Sequence, residues 1–447
     1  MNFYKSLSLQ MIITPTLKGG LLLLAVAVMS LTPLFGQGNP IKTIEESYAA
    51  KANVRISHRY GPLKVVPATN GKVGVSVKLF GEASDQEDLE TLKRYFKCEL
   101  TESSNDLEVV THLKVRNWNN RNGVTRLELE DGTRINNLRN LKIEATVSVP
   151  ASSKLFVSNK YDEILIESGV KNNLAIDIYS GRINVGNVGG SLALKAKYSK
   201  GKLGNFEDAD LEIYDSDLEM GNGRNVMLKS KYSELIMGSF NDLTADTYDD
   251  DIKWGTIIGE LNLQDKYTEF SVGRFNNARI DIYDGEFISD GGNELLVKSK
   301  YTEFKIKEVG QLSFESSYDD KVEIGRLGSL SADSKYTEFK IEKLRNKLFL
   351  KSYDDELEVD ELTGPLEGIE FEGKYTDFSI KLPEGSEFQM DANLTYGRLN
   401  YPEERLESQF YKEKNDRLEF RGKTKGATDS SPKITIISYD GKITIDD

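Results

Sequence analysis

Acidic residues follow several tyrosines in pairs or triplets, and carboxylates clustered in this way can bind calcium. The candidate ligands are Asp249, Asp250, Asp251, Asp319, Asp320, Asp354 and Asp355. Calcium takes roughly six to eight oxygen ligands, which carboxylates from stacked repeats could supply. The glycine-rich nonapeptide of calcium-binding repeats is absent, and solvated turn residues are the alternative interpretation. We favour that alternative and keep calcium binding as a hypothesis.

A row of thirteen tyrosines is the second candidate, because it could form an aromatic strip that binds carbohydrate or peptide. Successive members up to Tyr353 are 16 to 19 residues apart. The row comprises Tyr161, Tyr179, Tyr198, Tyr214, Tyr232, Tyr248, Tyr267, Tyr283, Tyr301, Tyr318, Tyr336, Tyr353 and Tyr375. Tyrosine also has a high strand propensity and stacks on neighbouring rings while its hydroxyl reaches solvent. We therefore predict a structural role for the row, with binding as the alternative.

Catalytic residues are hard to find in this sequence. His58 could pair with an aspartate or a serine, but no nucleophile elbow, metal-binding helix motif or phosphate loop accompanies it. We expect it to be a structural or surface histidine. Cys98 is the only cysteine, which excludes an intramolecular disulfide and a multi-cysteine metal cluster, and we expect a buried apolar role for it. The sequence predicts no catalytic residue, no cofactor and no enzyme activity.

The charge balance narrows the classes of partner. The chain has 58 Lys and Arg residues against 72 Asp and Glu residues, which gives a formal net charge of -14. Phosphate binding needs clustered Lys and Arg, so nucleic acid is not predicted as a partner. With 38% hydrophobic and 29% charged residues, the chain has the composition of a folded protein.

The tyrosines lie in a repeat of two alternating segment types. Segments such as "SKYTEFK" at Tyr301 alternate with segments such as "SYDDKVE" at Tyr318. Apolar and polar residues alternate on both sides of the tyrosine, which predicts short strands. Asp-Asp, Asp-Gly and Thr-Glu supply turn chemistry after the tyrosine. A second break in each unit is predicted near Gly310, Gly328 and Gly364.

Stacking of these units predicts a β-solenoid. One unit of 17–18 residues cannot bury its own apolar face, whereas stacked neighbours can. No proline occurs between residues 151 and 364, as expected where every backbone N–H serves a strand ladder. Before the turn, Leu330, Ala332, Ser334 and Tyr336 are predicted to share one face.

Two coil lengths fit the repeat: one unit, or a pair of units spanning 34 to 37 residues. With one unit per coil, four residues of alternating charge fall in consecutive register, namely Lys305, Glu323, Lys340 and Glu358. Opposite charges on neighbouring strands attract, so this arrangement favours the shorter coil. Hairpins in an open sheet are the rival geometry.

Different segments flank the array. Residues 1–36 are predicted to be a signal peptide, because the apolar run at 21–29 is shorter than the roughly 20 residues that span a bilayer. An N-terminal membrane anchor is the alternative, and no other segment could cross a membrane. Residues 37–150 are predicted to form a β-rich cap with a helix at 85–97 and a diverged first unit around Tyr60. The array occupies 151–382, and 383–447 is predicted as an irregular charged segment with a closing unit around Tyr439.

Three motifs resemble a known family. Arg59-Tyr60-Gly61, the segment 146–150 and Asn159-Lys160-Tyr161, followed by repeated tyrosine turns, resemble the bacterial putative-adhesin β-strand-repeat family of exported envelope proteins. The resemblance covers most of residues 45–447 and implies a β-solenoid fold and an exported location, whether periplasmic, on the outer surface or extracellular. It brings no established ligand or binding residues. The chain differs in using Asp-Asp and Thr-Glu where the family commonly has a glycine turn.

Taken together, the sequence predicts an exported, non-catalytic, adhesin-like binding or scaffold protein of the bacterial cell envelope. Its long faces of repeated polar side chains suit many weak contacts with a polysaccharide or an envelope protein. Two alternatives remain open: a carbohydrate-active β-helix enzyme, since paired carboxylates act through their separation in space, and a sensor or regulatory partner of an envelope signalling system.

Overall fold

The computed structural model describes residues 39–447, so the predicted signal peptide at 1–36 lies outside the described residues. Residues Pro40–Asp447 form one compact unit. Within this unit, 36 strands join into a single hydrogen-bonded sheet, accompanied by one helix, Gln86–Tyr95. The predicted all-β solenoid is confirmed.

The strands fall into three groups along the chain. The N-terminal group is β1 (Lys42–Tyr48), β2 (Asn53–Arg59), β3 (Leu63–Pro67), β4 (Val73–Glu82), β5 (Phe96–Glu102), β6 (Asp106–Leu113), β7 (Val115–Arg121), β8 (Val124–Leu129) and β9 (Arg134–Val149). The array is β10 (Lys154–Lys160), β11 (Ile164–Ile166), β12 (Leu174–Tyr179), β13 (Arg182–Val185), β14 (Leu192–Lys197), β15 (Lys200–Leu203), β16 (Asp208–Tyr214), β17 (Asp217–Met220), β18 (Asn225–Lys231), β19 (Glu234–Met237), β20 (Asp242–Tyr248), β21 (Asp251–Trp254), β22 (Ile257–Lys266), β23 (Glu269–Tyr283), β24 (Glu286–Lys300), β25 (Glu303–Tyr318), β26 (Lys321–Lys335), β27 (Glu338–Tyr353), β28 (Glu356–Leu362), β29 (Gly368–Lys374) and β30 (Asp377–Lys381). The C-terminal group is β31 (Gln389–Thr395), β32 (Arg398–Asn400), β33 (Leu406–Lys414), β34 (Arg417–Thr424), β35 (Lys433–Tyr439) and β36 (Lys442–Asp446).

Each coil consists of two strand segments that meet at a tight corner. For example, β18 is followed by the corner residues Tyr232 and Ser233 and then by β19. β18 pairs in parallel with β16 and β20, and Asn225 lies beside Asp242, which is 17 residues further along the chain. One repeat unit therefore makes one coil, which confirms the shorter of the two predicted coils.

The predicted charge ladder is also confirmed. Consecutive coils bring Lys305, Glu323, Lys340 and Glu358 into register. All the strands that carry these residues run parallel, so the rival geometry of open-sheet hairpins is wrong for the array.

The corner residue has a left-handed backbone, and this explains why two segment types alternate. In one type the corner residue is a tyrosine preceded by lysine, as at Tyr232 (φ 59°). In the other type it is aspartate or serine preceded by tyrosine, as at Asp249 (φ 56°). Aspartate reaches this region more readily than most residues with a Cβ atom. The tyrosine thus shifts by one position between neighbouring coils.

Two local predictions are wrong. Leu330, Ala332 and Ser334 are buried, but Tyr336 occupies the left-handed corner and is exposed, so it does not share their face. Gly310 and Gly328 lie inside β25 and β26, because the second segment of these coils runs on into the next coil without a break. A break does occur at Gly364, between β28 and β29.

Columns of apolar side chains, one residue from each coil, fill the interior. Phe270, Phe287 and Phe304 follow one another with ring centroids 6.4 Å and 6.1 Å apart, and all three are buried. Full burial of such a side chain contributes about 1.5–3 kcal/mol. This stabilisation needs a neighbouring coil on each side, which is why the coils fold as a stack.

The N-terminal end of the stack is capped. β2 and β3 form the first coil, as predicted for the segment around Tyr60, because they pair in parallel with β10 and β11. β6 and β9 pair with the other side of this coil, and the antiparallel strands β1, β4 and β5 cover them. The helix Gln86–Tyr95 lies within the predicted range 85–97, and Asp85 caps it by accepting the backbone N–H of Glu87.

The C-terminal end differs from the prediction. The segment predicted as irregular contains β31 to β34, and β33 and β34 form an antiparallel hairpin beside β31. The closing unit, β35 and β36, is inserted between the coil of β29 and the coil of β31. The last residues are therefore held inside the stack, and the hairpin covers its edge. The domain boundaries at 150 and 382 stay predictions.

Candidate functional site

The structure places all thirteen predicted tyrosines in one column on the corner of the solenoid. Tyr439 and Tyr396 extend the column at one end, and Tyr60 and Trp118 extend it at the other. From Tyr161 to Tyr396 the ring centroids are 5.3 to 5.8 Å apart, with interplanar angles of 70° to 89°. Each such edge-to-face contact contributes about 0.5–1.5 kcal/mol, so the column helps to hold the coils together.

The same rings are accessible to a partner. Tyr161 is 51% exposed, and the other corner tyrosines of the array are also exposed. Tyr179 and Tyr318, which lie one position before the corner, are 36% and 37% exposed. A structural role and a binding role for the tyrosines are therefore compatible.

Lysines alternate with tyrosines at the position before the corner. They are Lys160, Lys197, Lys231, Lys266, Lys300, Lys335 and Lys374. Each comes from a coil whose corner residue is tyrosine, and strand pairing sets it beside tyrosines of the neighbouring coils, as with Tyr214, Lys231 and Tyr248. We call these seven lysines together with the column of tyrosines the Lys–Tyr column.

Some ammonium groups of the Lys–Tyr column lie over aromatic rings. The Lys231 Nζ is 5.6 Å from the ring centroid of Tyr248. The Lys300 Nζ is 4.6 Å and 4.7 Å from the ring centroids of Tyr301 and Tyr318. Such cation–π contacts stabilise an exposed lysine by about 0.5–1 kcal/mol.

The lysines of the Lys–Tyr column differ from other lysines nearby, which form ion pairs with glutamates. Lys195 pairs with Glu212 at 2.9 Å, and Lys298 pairs with Glu315 at 3.2 Å. Within residues 39–447, none of the seven lysines of the Lys–Tyr column forms an ion pair. No carboxylate of the described residues therefore lies within ion-pairing distance of these ammonium groups, and exposed aspartates such as Asp249 and Asp319 sit one position further on, at the corners of the intervening coils.

Two shallow grooves lie beside the Lys–Tyr column. One, of about 690 Å³, is lined by Lys197, Tyr214 and Lys231 among others. The second, of about 580 Å³, is lined by Lys374 and Tyr439 among others. The column is therefore bordered by concave surface in both halves of the array.

The predicted acidic turns divide into two sets. Asp249, Asp319 and Asp354 occupy left-handed corners and are exposed, and Asp251 is exposed at the start of β21. Asp250, Asp320 and Asp355 are only 4–6% exposed, so their interpretation as solvated turn residues is wrong. Each of these three follows a corner residue, and its side chain points into the coil.

Hydroxyl and backbone donors satisfy the buried carboxylates. Asp355 accepts from the Ser334 hydroxyl at 2.6 Å and from the Thr337 N–H at 2.8 Å. Asp320 accepts from Ser299 at 2.6 Å and from the Thr302 N–H at 2.8 Å. No group of three or more His, Cys, Asp or Glu residues in the described part of the chain could hold a metal ion.

Burial changes the acidity of these groups. It raises the pKa of Asp250 and of Asp355 to about 6, although neighbouring hydrogen bonds act in the opposite direction. The pKa of Asp320 and of Asp265 is raised for the same reason. Asp265 was not singled out from the sequence, since it precedes the lysine of a "DKYTEF" segment. It occupies the position that Ser299 and Ser334 hold in other coils, which is the signal that could have found it.

His58 and Cys98 have no catalytic surroundings. The His58 ring is buried, contacts the Thr111 hydroxyl through Nδ1 and donates to the Ile143 carbonyl through Nε2 at 3.0 Å. Burial lowers the pKa of His58 to about 4, so the ring is neutral. Cys98 is half-buried, and burial raises its pKa to about 11, which disfavours the nucleophilic thiolate.

Comparisons with known proteins give a limited result. No protein-family model matches the chain, and no curated protein matches it. A solved "putative cell adhesion protein" from Clostridium sporogenes is 9% identical over 91% of this chain and 99% of its own, with a TM-score of 0.17. A "putative adhesin" from Bacteroides fragilis is 15% identical over 60% and 96%, with a TM-score of 0.28. A "putative lipid binding protein" from Parabacteroides distasonis is 11% identical over 72% and 98%, with a TM-score of 0.17.

The identities and TM-scores are too low to assign a function to this chain. Among residues 39–447, no helix has the length and apolar character needed to cross a membrane.

Proposed function

We propose that the chain is an exported, non-catalytic, adhesin-like binding or scaffold protein of the bacterial cell envelope. The observation that carries this proposal is the Lys–Tyr column, which presents exposed rings and unpaired lysines along the whole array. A partner that lies along it can make many equivalent weak contacts, and their combination gives strong attachment. A polysaccharide or an envelope protein is the partner class we propose.

The capped ends of the stack support this role. Unpaired strand edges are templates for aggregation, and the antiparallel strands at both ends cover them. Binding is therefore directed to the sides of the solenoid. The side that combines aromatic rings with free charge is the Lys–Tyr column.

Localisation and adhesion together test the proposal. We expect an epitope-tagged full chain to fractionate with the envelope or the medium of its bacterial host. Deletion of the gene should lower the number of cells retained on polysaccharide-coated or envelope-coated surfaces, and the intact gene should restore it. A chain confined to the cytoplasm, or adhesion unchanged by deletion, would contradict the proposal.

The proposal that the chain is not an enzyme needs an assay of its own. Purified full-length chain is expected to release no reducing ends from a panel of neutral and acidic polysaccharides. Release that is abolished by a single carboxylate substitution would show a carbohydrate-active enzyme instead.

A further inference from the structure

We infer that the Lys–Tyr column binds a linear anionic polysaccharide whose acidic group recurs on every second sugar. This inference rests on the proposed binding function and names its ligand class. The ligand lies along the stack, its acidic groups contact the lysines, and its sugar rings pack on the tyrosines between them.

The positive charge is available because lysines such as Lys231 and Lys300 contact tyrosine rings and the seven lysines form no ion pair with a carboxylate of the described residues. Lysines on the same strands, such as Lys195 and Lys298, are neutralised by glutamates of a neighbouring coil. The lysines of the column alternate instead with tyrosines, which supply no carboxylate. Their ammonium donors can therefore bind carboxylate or sulfate oxygens of a ligand.

Negative charge on the adjacent side of the corner fixes where an anionic chain can lie. Asp251, Glu269, Glu286 and Glu303 occupy consecutive register positions at the start of the second strand segments. Glu286 and Glu303 are paired with Lys305, so Asp251 and Glu269 are the two members of the row that repel an anion, which is attracted instead to the lysines of the column. The side that carries the first strand segment has both signs of charge, but its larger groove is lined by five lysines and only three carboxylates, Asp177, Glu212 and Asp246, so an anionic chain is favoured there.

The distance between successive lysines determines which anionic chain fits the column. Neighbouring coils are about 4.8 Å apart and a lysine occurs in every second coil, so lysines recur about every 10 Å. One sugar ring in an extended chain advances by about one strand spacing. An acidic group on every second sugar therefore keeps pace with the lysines over several coils.

The rings between the lysines suit sugars. Tyr179 and Tyr318 are 36% and 37% exposed, and the other tyrosines between the lysines, Tyr214, Tyr248, Tyr283 and Tyr353, are half-buried, so part of each ring reaches the surface. An aromatic ring packs against the C–H face of a pyranose, and the phenol hydroxyl can bond to a sugar hydroxyl. A tyrosine would meet each neutral sugar and a lysine each acidic sugar.

Denser polyanions fit this surface less well. An extended acidic polypeptide carries a carboxylate about every 3.3 Å and single-stranded DNA a phosphate on every nucleotide. Most of those charges would meet no lysine, and the net charge of -14 would repel them. A sparsely charged glycan avoids this repulsion.

Binding of purified full-length chain to hyaluronan, which has a carboxylate on every second sugar, tests the inference. The test variant combines Lys231→Gln, Lys266→Gln, Lys300→Gln and Lys335→Gln. The control variant makes the same charge change on the second strand segments, with Lys202→Gln, Lys253→Gln, Lys305→Gln and Lys340→Gln. Glutamine keeps the backbone ladder, and circular dichroism with thermal unfolding checks that both variants fold.

We expect hyaluronan fragments to bind more tightly with increasing length and more weakly with increasing salt. One exposed ion pair changes an equilibrium by about twofold, so the test variant, which lacks four lysines, should bind roughly 16-fold more weakly. The control variant should stay within about twofold of the parent chain.

Three results would overturn the inference. They are no binding of hyaluronan at low salt, equal losses in the two variants, and binding of poly-L-glutamate or single-stranded DNA as tight as that of hyaluronan. If the chain is on the cell surface and supports adhesion but gives one of these results, only the ligand class is wrong. If it is cytoplasmic and inert in adhesion, the proposed function itself fails.

Discussion

Asparagine in place of Asp355 should change how the stability of the solenoid depends on pH. Asp355 is 6% exposed and accepts hydrogen bonds from the Ser334 hydroxyl and the Thr337 N–H. The asparagine side chain is neutral and nearly the same shape, and its oxygen can still accept the Thr337 N–H. Its amide can donate to the Ser334 hydroxyl. The substitution therefore removes a titrating charge with little change in packing.

The size of this pH effect follows from the difference in the pKa of Asp355 between the folded and unfolded states. Burial raises the pKa of Asp355 from 3.8 to about 6, so the folded chain holds the proton more tightly than the unfolded chain does. The resulting stabilisation is fully present below about pH 4 and is lost as the pH rises through about 6. It amounts to roughly 2–3 kcal/mol. The advantage of Asp355→Asn over the parent chain should grow by this amount between pH 4 and pH 7.

Urea unfolding at several pH values, followed by far-UV circular dichroism, measures this difference. Asp354→Asn is the matched control, because Asp354 is the exposed corner residue next to Asp355. Its difference from the parent chain should vary by less than about 0.5 kcal/mol over the same range. A pH-independent difference for Asp355→Asn would refute the account of a buried carboxyl that is neutral in acid.

Three further predictions concern the stack itself. Phe304→Ala removes a buried ring and should cost about 3–5 kcal/mol of unfolding free energy in urea, whereas a cost below about 1 kcal/mol would contradict the packing. Gly201→Ala should lower the melting temperature, because a Cβ atom there would lie 1.9 Å from the Ile183 carbonyl oxygen and the backbone is at φ +149°. Gly71→Ala is the control for backbone strain without a steric clash, because Gly71 has φ +69° and nothing lies within 4 Å of the added Cβ atom. Replacing the hairpin of β33 and β34 by a short Gly-Ser linker exposes the edge of β31 and should give concentration-dependent oligomers in size-exclusion chromatography; a monomer at all concentrations would show that the hairpin does not protect the edge.

The sequence was sufficient to predict the array because its evidence is repeated in every coil. The alternation of apolar residues predicted the strands, and the register of Lys305 with Glu323 decided the coil length. The left-handed corner was not predicted. Tyr336 continues the alternating pattern of its strand, and only the backbone turn at that residue carries it out of the buried face.

The C-terminal hairpin could not be found in the same way. β33 has one buried residue, Leu406, and its remaining residues are exposed, so it lacks the apolar alternation that identifies a strand. Its partner strand and its place at the end of the stack determine its structure, and neither is local in sequence. The insertion of β35 between coils earlier in the chain is non-local for the same reason.

Only some residues of the candidate site could be predicted from the sequence. The tyrosines were identified from their spacing alone. The significance of the lysines depends on the absence of ion pairs in the described coils, which only the positions of the carboxylates can reveal. Asp250 and Asp249 are neighbours in sequence with the same side chain, yet one is buried and the other exposed, since the corner turns them in opposite directions.

The distance between spin labels at residues 253 and 358 most directly tests the claim that one repeat unit makes one coil, on which the continuous Lys–Tyr column depends. Lys253→Cys and Glu358→Cys, with Cys98→Ser, place the labels on exposed positions that six register steps connect. At about 4.8 Å for each coil, we expect a distance near 29 Å by pulsed electron paramagnetic resonance. A distance near 14 Å would mean two units in each coil and would contradict the column.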